Sequence, residues 1–205
     1  MSTTPARRYS PRRPRTERRE QLLDATLSLV DTCGLSGFSV EGVAREAGLT
    51  KSVVYATFGS GEELLRALLD RELERALADI AKALPQPPYV SPGEMLSSSL
   101  AVILRGVGER PATWRLFVLP TDGMPPAVRE DVARHRAELT GQVRPPVEWS
   151  LSQLSAEHMD AEVMTEMMIA CFEHAARMTL TAPERFTPER LLAFVSDFVA
   201  THRAK

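Results

Sequence analysis

The sequence predicts an all-α fold, in which a small N-terminal domain of three helices precedes a larger helical domain. Apolar residues recur every three or four positions along most of the 205 residues. No segment shows the apolar-polar alternation that indicates a strand, and Gly and Pro divide the pattern into helix-sized pieces. We expect a disordered basic arm at residues 1–15, the small domain at 16–62 and the larger domain at 63–205.

The near-neutral total charge conceals a basic N-terminus. The chain has a formal net charge of −2, but its first twenty residues contain seven Arg and two Glu, a local charge of +5. The arm combines Arg and Pro without apolar periodicity, so it buries too little surface to offset the entropy of ordering. No stretch approaches the about 20 uncharged apolar residues of a membrane helix, and no apolar signal region follows the basic start. We therefore expect a cytoplasmic protein.

The first helix is expected to begin at Thr16, a good N-cap residue, with Glu17 at its positive end. Its apolar stripe contains Leu23, Leu27 and Val30, and Gly34 should end it.

Two short helices follow and meet at a tight turn at Gly48. Ser39 is placed to cap the first, whose apolar positions 40, 43, 44 and 47 share one face. Thr50 is placed to cap the second, in which Val54 and Phe58 should face inward together with Leu49.

A long fourth helix should begin at the capping box formed by Ser60 and Glu63, whose side chains can each accept from the other's backbone N–H. Its apolar stripe runs from Leu65 to Leu84, where a Pro-rich stretch ends it. Further helical segments, divided by Pro and Gly, are predicted at about residues 95–107, 112–119, 126–143, 161–180 and 188–202.

The helix pair around Gly48 has the layout of a helix-turn-helix, whose second helix can lie in the major groove of DNA. That helix should present hydroxyls, a Lys and small apolar groups that suit phosphates, base edges and thymine methyls. The same face would also suit a helix that simply contacts solvent, although Tyr and small apolar residues are poor choices for solubility alone.

At this point the sequence resembles the TetR family of transcriptional regulators. The resemblance rests on FSVEGVAREAGLT at residues 38–50, YATF at 55–58 and the Ser60-x-x-Glu63-Leu64 helix start, within the first third of the chain. It implies that Tyr55 and the hydroxyls of Ser39, Thr50 and Ser52 bind phosphates. It places four residues nearest the bases: Lys51, Val53, Ala56 and Thr57. The chain departs from the family at Gly61, where a Lys commonly contacts the DNA backbone.

Family members bind DNA as two-fold dimers, which implies a dimer interface in the larger domain. The last two helices carry candidate interface residues: Met164, Met168, Ala175, Met178, Leu192, Val195, Phe198 and Val199. Periodicity alone cannot separate an interface from an intramolecular core, and the resemblance favours the interface. The arm has two interpretations, since its arginines could raise non-specific affinity or reach the minor groove.

A small-molecule pocket is expected between the helices of the larger domain. The candidate lining residues are Trp114, Phe117, Trp149, Met167, Cys171, Phe172 and His174, all of which would also suit a plain core. The resemblance then implies a repressor that a small-molecule inducer releases from a palindromic operator. The alternative is a constitutive or protein-controlled regulator without a natural small ligand.

An enzyme is not expected. The four His residues are scattered, and no Ser-His-Asp arrangement, Gly-rich phosphate loop or metal-ligand spacing is present. We therefore expect no catalytic residue, cofactor or metal site. Cys33 and Cys171 lie in apolar helical patterns without neighbouring ligands, so both are expected to be core residues.

Overall fold

The computed structural model describes residues 14–119 and 123–203, and these ranges form nine α-helices and no strand. The all-α prediction is therefore confirmed. None of the helices in the described ranges combines the length and the apolar character that a membrane crossing needs. The helices are α1 (Arg15–Cys33), α2 (Val40–Glu46), α3 (Lys51–Phe58), α4 (Gly61–Ala83), α5 (Pro92–Glu109), α6 (Pro111–Val118), α7 (Pro126–Gln153), α8 (Ala161–Thr181) and α9 (Pro188–Arg203).

The predicted N-cap of α1, Thr16, was wrong by two residues, because Pro14 occupies that position. The carbonyl of Pro14 accepts the N–H of Arg18 at 3.1 Å, so the helix begins at Arg15 and Thr16 does not cap it. Residues 1–13 of the predicted basic arm lie outside the described residues. The other end was predicted correctly, because Gly34 adopts a φ of +73° that stops the helix.

The predicted caps have mixed outcomes. Ser39 accepts the N–H of Gly42, and Ser60 accepts the N–H of Glu63, both at 3.1 Å, as predicted. Thr50 occupies the N-cap position of α3, but its hydroxyl is hydrogen-bonded to that of Ser52 at 2.8 Å and caps no backbone group. The reciprocal half of the capping box is also wrong, because the N–H of Ser60 donates to the carbonyl of Phe58.

A single long helix replaces the shorter segment predicted to end near residue 143. α7 continues through Pro145 and Pro146 to Gln153. The two prolines remove the N–H groups that would bond the carbonyls of Gly141 and Gln142. Both of these residues are exposed, so their carbonyls can bond water instead and the helix is tolerated.

The hydrophobic packing runs continuously from the N-terminal helices into the rest of the chain. Leu64, Leu68 and Leu69 of α4 are fully buried in the core that α1–α3 form. Leu116 of α6 and Val128 of α7 enter the same core. The predicted domain boundary at residue 62 stays a prediction. It falls in the first turn of α4, whose start packs against the N-terminal core and whose end packs against α5 and α6.

Candidate nucleic-acid interface and internal cavity

α3 buries one face and exposes the other. Val54 is fully buried and Phe58 is 6% exposed, so both face inward as predicted. Arg19 of α1 lies over the Phe58 ring, 4.5 Å from its centroid, and holds this end of α3 against α1. The predicted contact residues lie on the outward side or at its edges: Thr50, Lys51, Ser52, Tyr55 and Ala56 are exposed, and Val53 and Thr57 are half-buried.

Lys51 is tied to an acidic residue of α2. Its ammonium group lies 2.6 Å from a carboxylate oxygen of Glu41, and both side chains are exposed. The hydrogen bond from Lys51 lowers the pKa of Glu41, and the same bond raises the pKa of Lys51. A phosphate that approached Lys51 would therefore compete with Glu41 for this cation.

The hydroxyls of the predicted interface have partners inside the chain. Thr57 donates to the carbonyl of Val53 at 2.8 Å, and Ser39 accepts from the backbone at the start of α2. A phosphate oxygen only accepts, so each hydroxyl would have to donate to it. Ser39 accepts from the backbone and keeps its own O–H for a phosphate, whereas only one of Thr50 and Ser52 can donate outward while their mutual hydrogen bond is kept.

Close packing of α4 against α2 explains why a glycine occupies position 61. A Cβ at this position would lie 2.8 Å from Cγ2 of Val40, so a larger residue would force the start of α4 away from α2. The absence of a Lys here thus accompanies a close approach of the two helices.

An internal cavity lies between α4, α5, α6, α7 and α8. The space inside it that is open to a water-sized molecule is about 160 Å³. A single water needs roughly 10–15 Å³ on this measure, so the cavity has room for a small apolar group. Most of its lining is apolar and includes Ile80, Met95, Ile103, Trp114, Val147 and Phe172.

Of the seven predicted pocket residues, Trp114 and Phe172 line this cavity and five do not. Phe117 packs against the N-terminal core, because it lies on the other side of α6. Trp149 packs against Tyr89, with ring centroids 5.2 Å apart.

The remaining three predicted pocket residues are exposed on α8: Met167, Cys171 and His174. They do not reach the cavity because α8 has apolar residues on two sides, and the side that lines the cavity carries Ile169 and Phe172. The expectation that both cysteines are core residues was also wrong, since Cys33 and Cys171 are exposed.

The predicted dimer residues divide between the interior and the surface. Met168 lines the cavity, and Ala175 is buried with Leu100 and Leu104. Four more are only partly exposed: Met164, Met178, Leu192 and Val195. Val199 lies beside Gly93 of α5. Phe198 is exposed as an interface residue would be in the separated chain.

Four strongly exposed apolar residues lie on α8 and α9, and only Phe198 among them belongs to the predicted dimer set. Val163 and Met167 on α8 and Phe194 and Phe198 on α9 are 52–68% exposed, and the two Phe rings stack at 6.4 Å. We call these four residues the outer apolar face. Large exposed apolar side chains grouped on neighbouring elements indicate an interaction surface.

Glu72 of α4 is a charged residue that sequence periodicity did not single out. It is fully buried and accepts a hydrogen bond from Thr113 of α6 at 2.5 Å. Arg71 and Arg75 donate to its other oxygen at 2.8 and 3.0 Å. Arg71 also bonds Glu20 on α1. Glu72 thus connects α6 to α4 and, through Arg71, to α1.

Asp79 forms a second buried polar contact on the same face of α4, two helical turns after Glu72. Its carboxylate pairs with Arg110 at the start of α6 and with Lys82 at 3.0 Å. Burial raises the pKa of Asp79, but the hydrogen bonds from Arg110 and Lys82 outweigh it, so the pKa lies below its usual value. Glu72 and Asp79 follow the helical spacing of the buried stripe, and this register was the signal that could have revealed them.

α6 also contacts the N-terminal helices directly. Arg115 donates to both carboxylate oxygens of Asp31 on α1, at 2.9 and 2.8 Å. Trp114, which lines the cavity, lies between Thr113 and Arg115 in sequence. One turn of α6 therefore touches the cavity, α4 and α1.

Parts of the chain are similar to known families and proteins. A family model described as bacterial regulatory proteins, tetR family, matches residues 22–68. The transcriptional repressor KstR of Rhodococcus jostii is 28% identical over 158 residues, covering 75% of this chain and 72% of KstR. The regulator BetI of Burkholderia thailandensis is 38% identical over 65 residues, which span 32% of this chain and 33% of BetI.

Solved structures share the fold over nearly the whole chain. A TetR-like transcriptional regulator from Rhodococcus sp. RHA1 is 26% identical with a TM-score of 0.71, and the match covers 92% of this chain and 99% of that one. FadR of Bacillus subtilis, solved with stearoyl-CoA, is 13% identical with a TM-score of 0.63, covering 87% and 95% of the two chains. At that identity the likeness concerns the fold alone.

Proposed function

We propose that the chain, a DNA-binding transcriptional regulator of the tetR kind, is a homodimeric repressor released from a palindromic operator by a small molecule. The observation that carries the proposal is the combination of an exposed α3 face with an internal cavity, joined by α6. The proposal contains no catalytic step.

DNA recognition is assigned to the outward face of α3. Lys51, Val53, Ala56 and Thr57 would lie nearest the bases. Tyr55, Ser39, Thr50 and Ser52 would bind phosphates on either side. In a two-fold dimer, two such helices enter successive major grooves about 34 Å apart, which requires an inverted repeat.

Dimerisation is assigned to the outer apolar face of α8 and α9. Two-fold symmetry places the same patch on both subunits. Val163, Met167, Phe194 and Phe198 would then be removed from water. The proposed interface thus stays on α8 and α9, as predicted, but uses their exposed sides.

Ligand response is assigned to α6 and α4. A ligand in the cavity would contact Trp114 and bias the position of α6, whose neighbours Thr113 and Arg115 bond Glu72 of α4 and Asp31 of α1. A ligand can change DNA affinity only as far as it binds the two conformations unequally. A small shift of α4 and α1 changes the spacing of the two α3 helices, and both half-sites weaken together.

A regulator without a small ligand is the alternative function. It would need no open space between α4 and α8, because a filled core is more stable than one with a cavity. The cavity, with about 160 Å³ of space open to a water-sized molecule, supports the ligand-responsive form.

Binding-site selection from random duplex DNA tests the DNA-binding part of the proposal. We expect enrichment of one inverted repeat, and Lys51→Ala should lower affinity for it by roughly tenfold. Lys82→Ala is the matched control, because it removes an exposed lysine at the far end of α4; Lys82 pairs with Asp79, so a melting curve checks that this variant keeps its fold. Salt-sensitive binding without any enriched repeat would refute sequence-specific recognition.

A further inference from the structure

One hydrogen-bond donor, on a residue that lines the internal cavity, has no partner in the described part of the chain. The indole N–H of Trp114 is buried, on a residue that is 5% exposed, and it meets no acceptor. Trp114 lines the cavity. A buried donor without a partner is uncommon in folded proteins, because it loses its bond to water and gains nothing in return.

The other polar groups of the lining already use their hydrogens. Ser99 donates to the carbonyl of Ala83 at 2.6 Å, and Ser150 donates to the carbonyl of Pro146 at 2.7 Å. A ligand acceptor in the cavity therefore finds its free donor at Trp114, whose buried N–H is reached by a small turn of the indole toward the ligand.

The charge of the lining argues against an anion inside. Among the lining residues that the structure describes there is no Lys, Arg or His, and the one ionisable side chain is Glu173. Glu173 forms an ion pair with Arg136 of α7. A carboxylate or phosphate within the cavity would lose its hydration without a cation to replace it.

We propose that the part of the ligand inside the cavity is uncharged and mainly apolar, and that its single carbonyl-type oxygen accepts a hydrogen bond from Nε1 of Trp114. This inference rests on the proposed function, because it takes the cavity to be the ligand site. It adds the chemical class of the ligand and the residue that selects it. An oxygen of this kind can belong to a neutral ketone or ester, or to an acyl thioester whose charged group stays outside the cavity.

The chain contains two tryptophans, so its indole N–H groups give a simple NMR signal. In ¹⁵N-labelled full-length protein, Trp149→Phe removes one indole resonance and assigns the other to Trp114. Trp149 does not line the cavity, so this variant keeps the proposed site. The probes are methyl octyl ketone and its alkene isostere, in which CH₂ replaces the carbonyl oxygen.

We expect the ketone to bind about tenfold more tightly than the alkene, as one hydrogen bond allows. We expect the Trp114 resonance to move downfield with the ketone alone. In Trp114→Phe the two affinities should become equal. Decanoate should bind more weakly than the ketone. Decanoyl-CoA distinguishes the two sources, since tight binding with the same downfield shift indicates a thioester, and no binding indicates a neutral ligand.

Equal affinities for ketone and alkene in the native protein would overturn the proposal, as would a preference that persists in Trp114→Phe. If Trp114→Phe does not fold, the downfield shift in Trp149→Phe decides alone. Failure of every probe to bind, with an inverted repeat still selected, would overturn the ligand class and leave the DNA-binding function standing. A ketone preference without any selected repeat would support the ligand class and overturn sequence-specific DNA binding.

Discussion

Thr113→Val removes the hydrogen bond by which α6 holds the buried carboxylate of α4. The Thr113 hydroxyl lies 2.5 Å from Glu72, and both side chains are fully or almost fully buried. Valine keeps the shape of threonine, so the substitution deletes the donor without opening a cavity. A hydrogen bond to a charged group contributes about 1.5–3 kcal/mol, and the free energy of unfolding should fall by that amount.

The expected fall in melting temperature follows from the size of the chain. A loss of 1 kcal/mol shifts the melting temperature by roughly 2–4 °C in a protein of this length, so Thr113→Val should lower it by roughly 3–12 °C. Arg71 and Arg75 still bond Glu72, so the loss should not exceed that of one bond. Circular dichroism at a fixed protein concentration measures it, since dimerisation makes melting concentration-dependent.

Thr165→Val is the matched control. Thr165 is also fully buried, but its hydroxyl donates to the carbonyl of Ala161 in the same helix. That carbonyl keeps its helical backbone partner, so the loss of stability should stay below about 1 kcal/mol. Equal losses in Thr113→Val and Thr165→Val would refute the assignment of a stabilising contact between α6 and α4.

Three other perturbations test separate features. Glu41→Gln frees the lysine at the start of α3 and removes a charge that repels phosphates, so operator affinity by fluorescence anisotropy should rise by roughly twofold to tenfold; unchanged affinity would contradict this role. Phe194→Asp should convert the dimer to a monomer in analytical ultracentrifugation, because it buries a charge in the interface. Val90→Asp, an equally exposed loop position, should not. The lowered pKa of Asp79 beside Arg110 means that its ionised form stabilises the fold above the unfolded pKa of about 3.9, and that this contribution is lost as pH falls through the lower folded pKa. Asp79→Asn should therefore flatten the acid limb of stability in urea melts, and an unchanged limb would count against the pair.

Local sequence determined the helices and the outward face of α3. The caps at Ser39 and Ser60 and the stop at Gly34 depend on residues only three or four positions apart, so periodicity and turn chemistry were sufficient. Val54 and Phe58 face inward for the same reason. The side opposite them could therefore be predicted without tertiary information.

Tertiary packing decided what each buried or exposed face contacts. α8 is apolar on two sides, and its sequence cannot tell which side meets the cavity; Phe172 and Met168 took that side, and Met167 and Cys171 took the surface. Helical periodicity reports that a residue lies on an apolar stripe, but the partner of that stripe is set by elements distant in the chain. The polar residue Glu72 is buried for the same reason, because Thr113 lies 41 residues away in sequence and only the fold brings the two together.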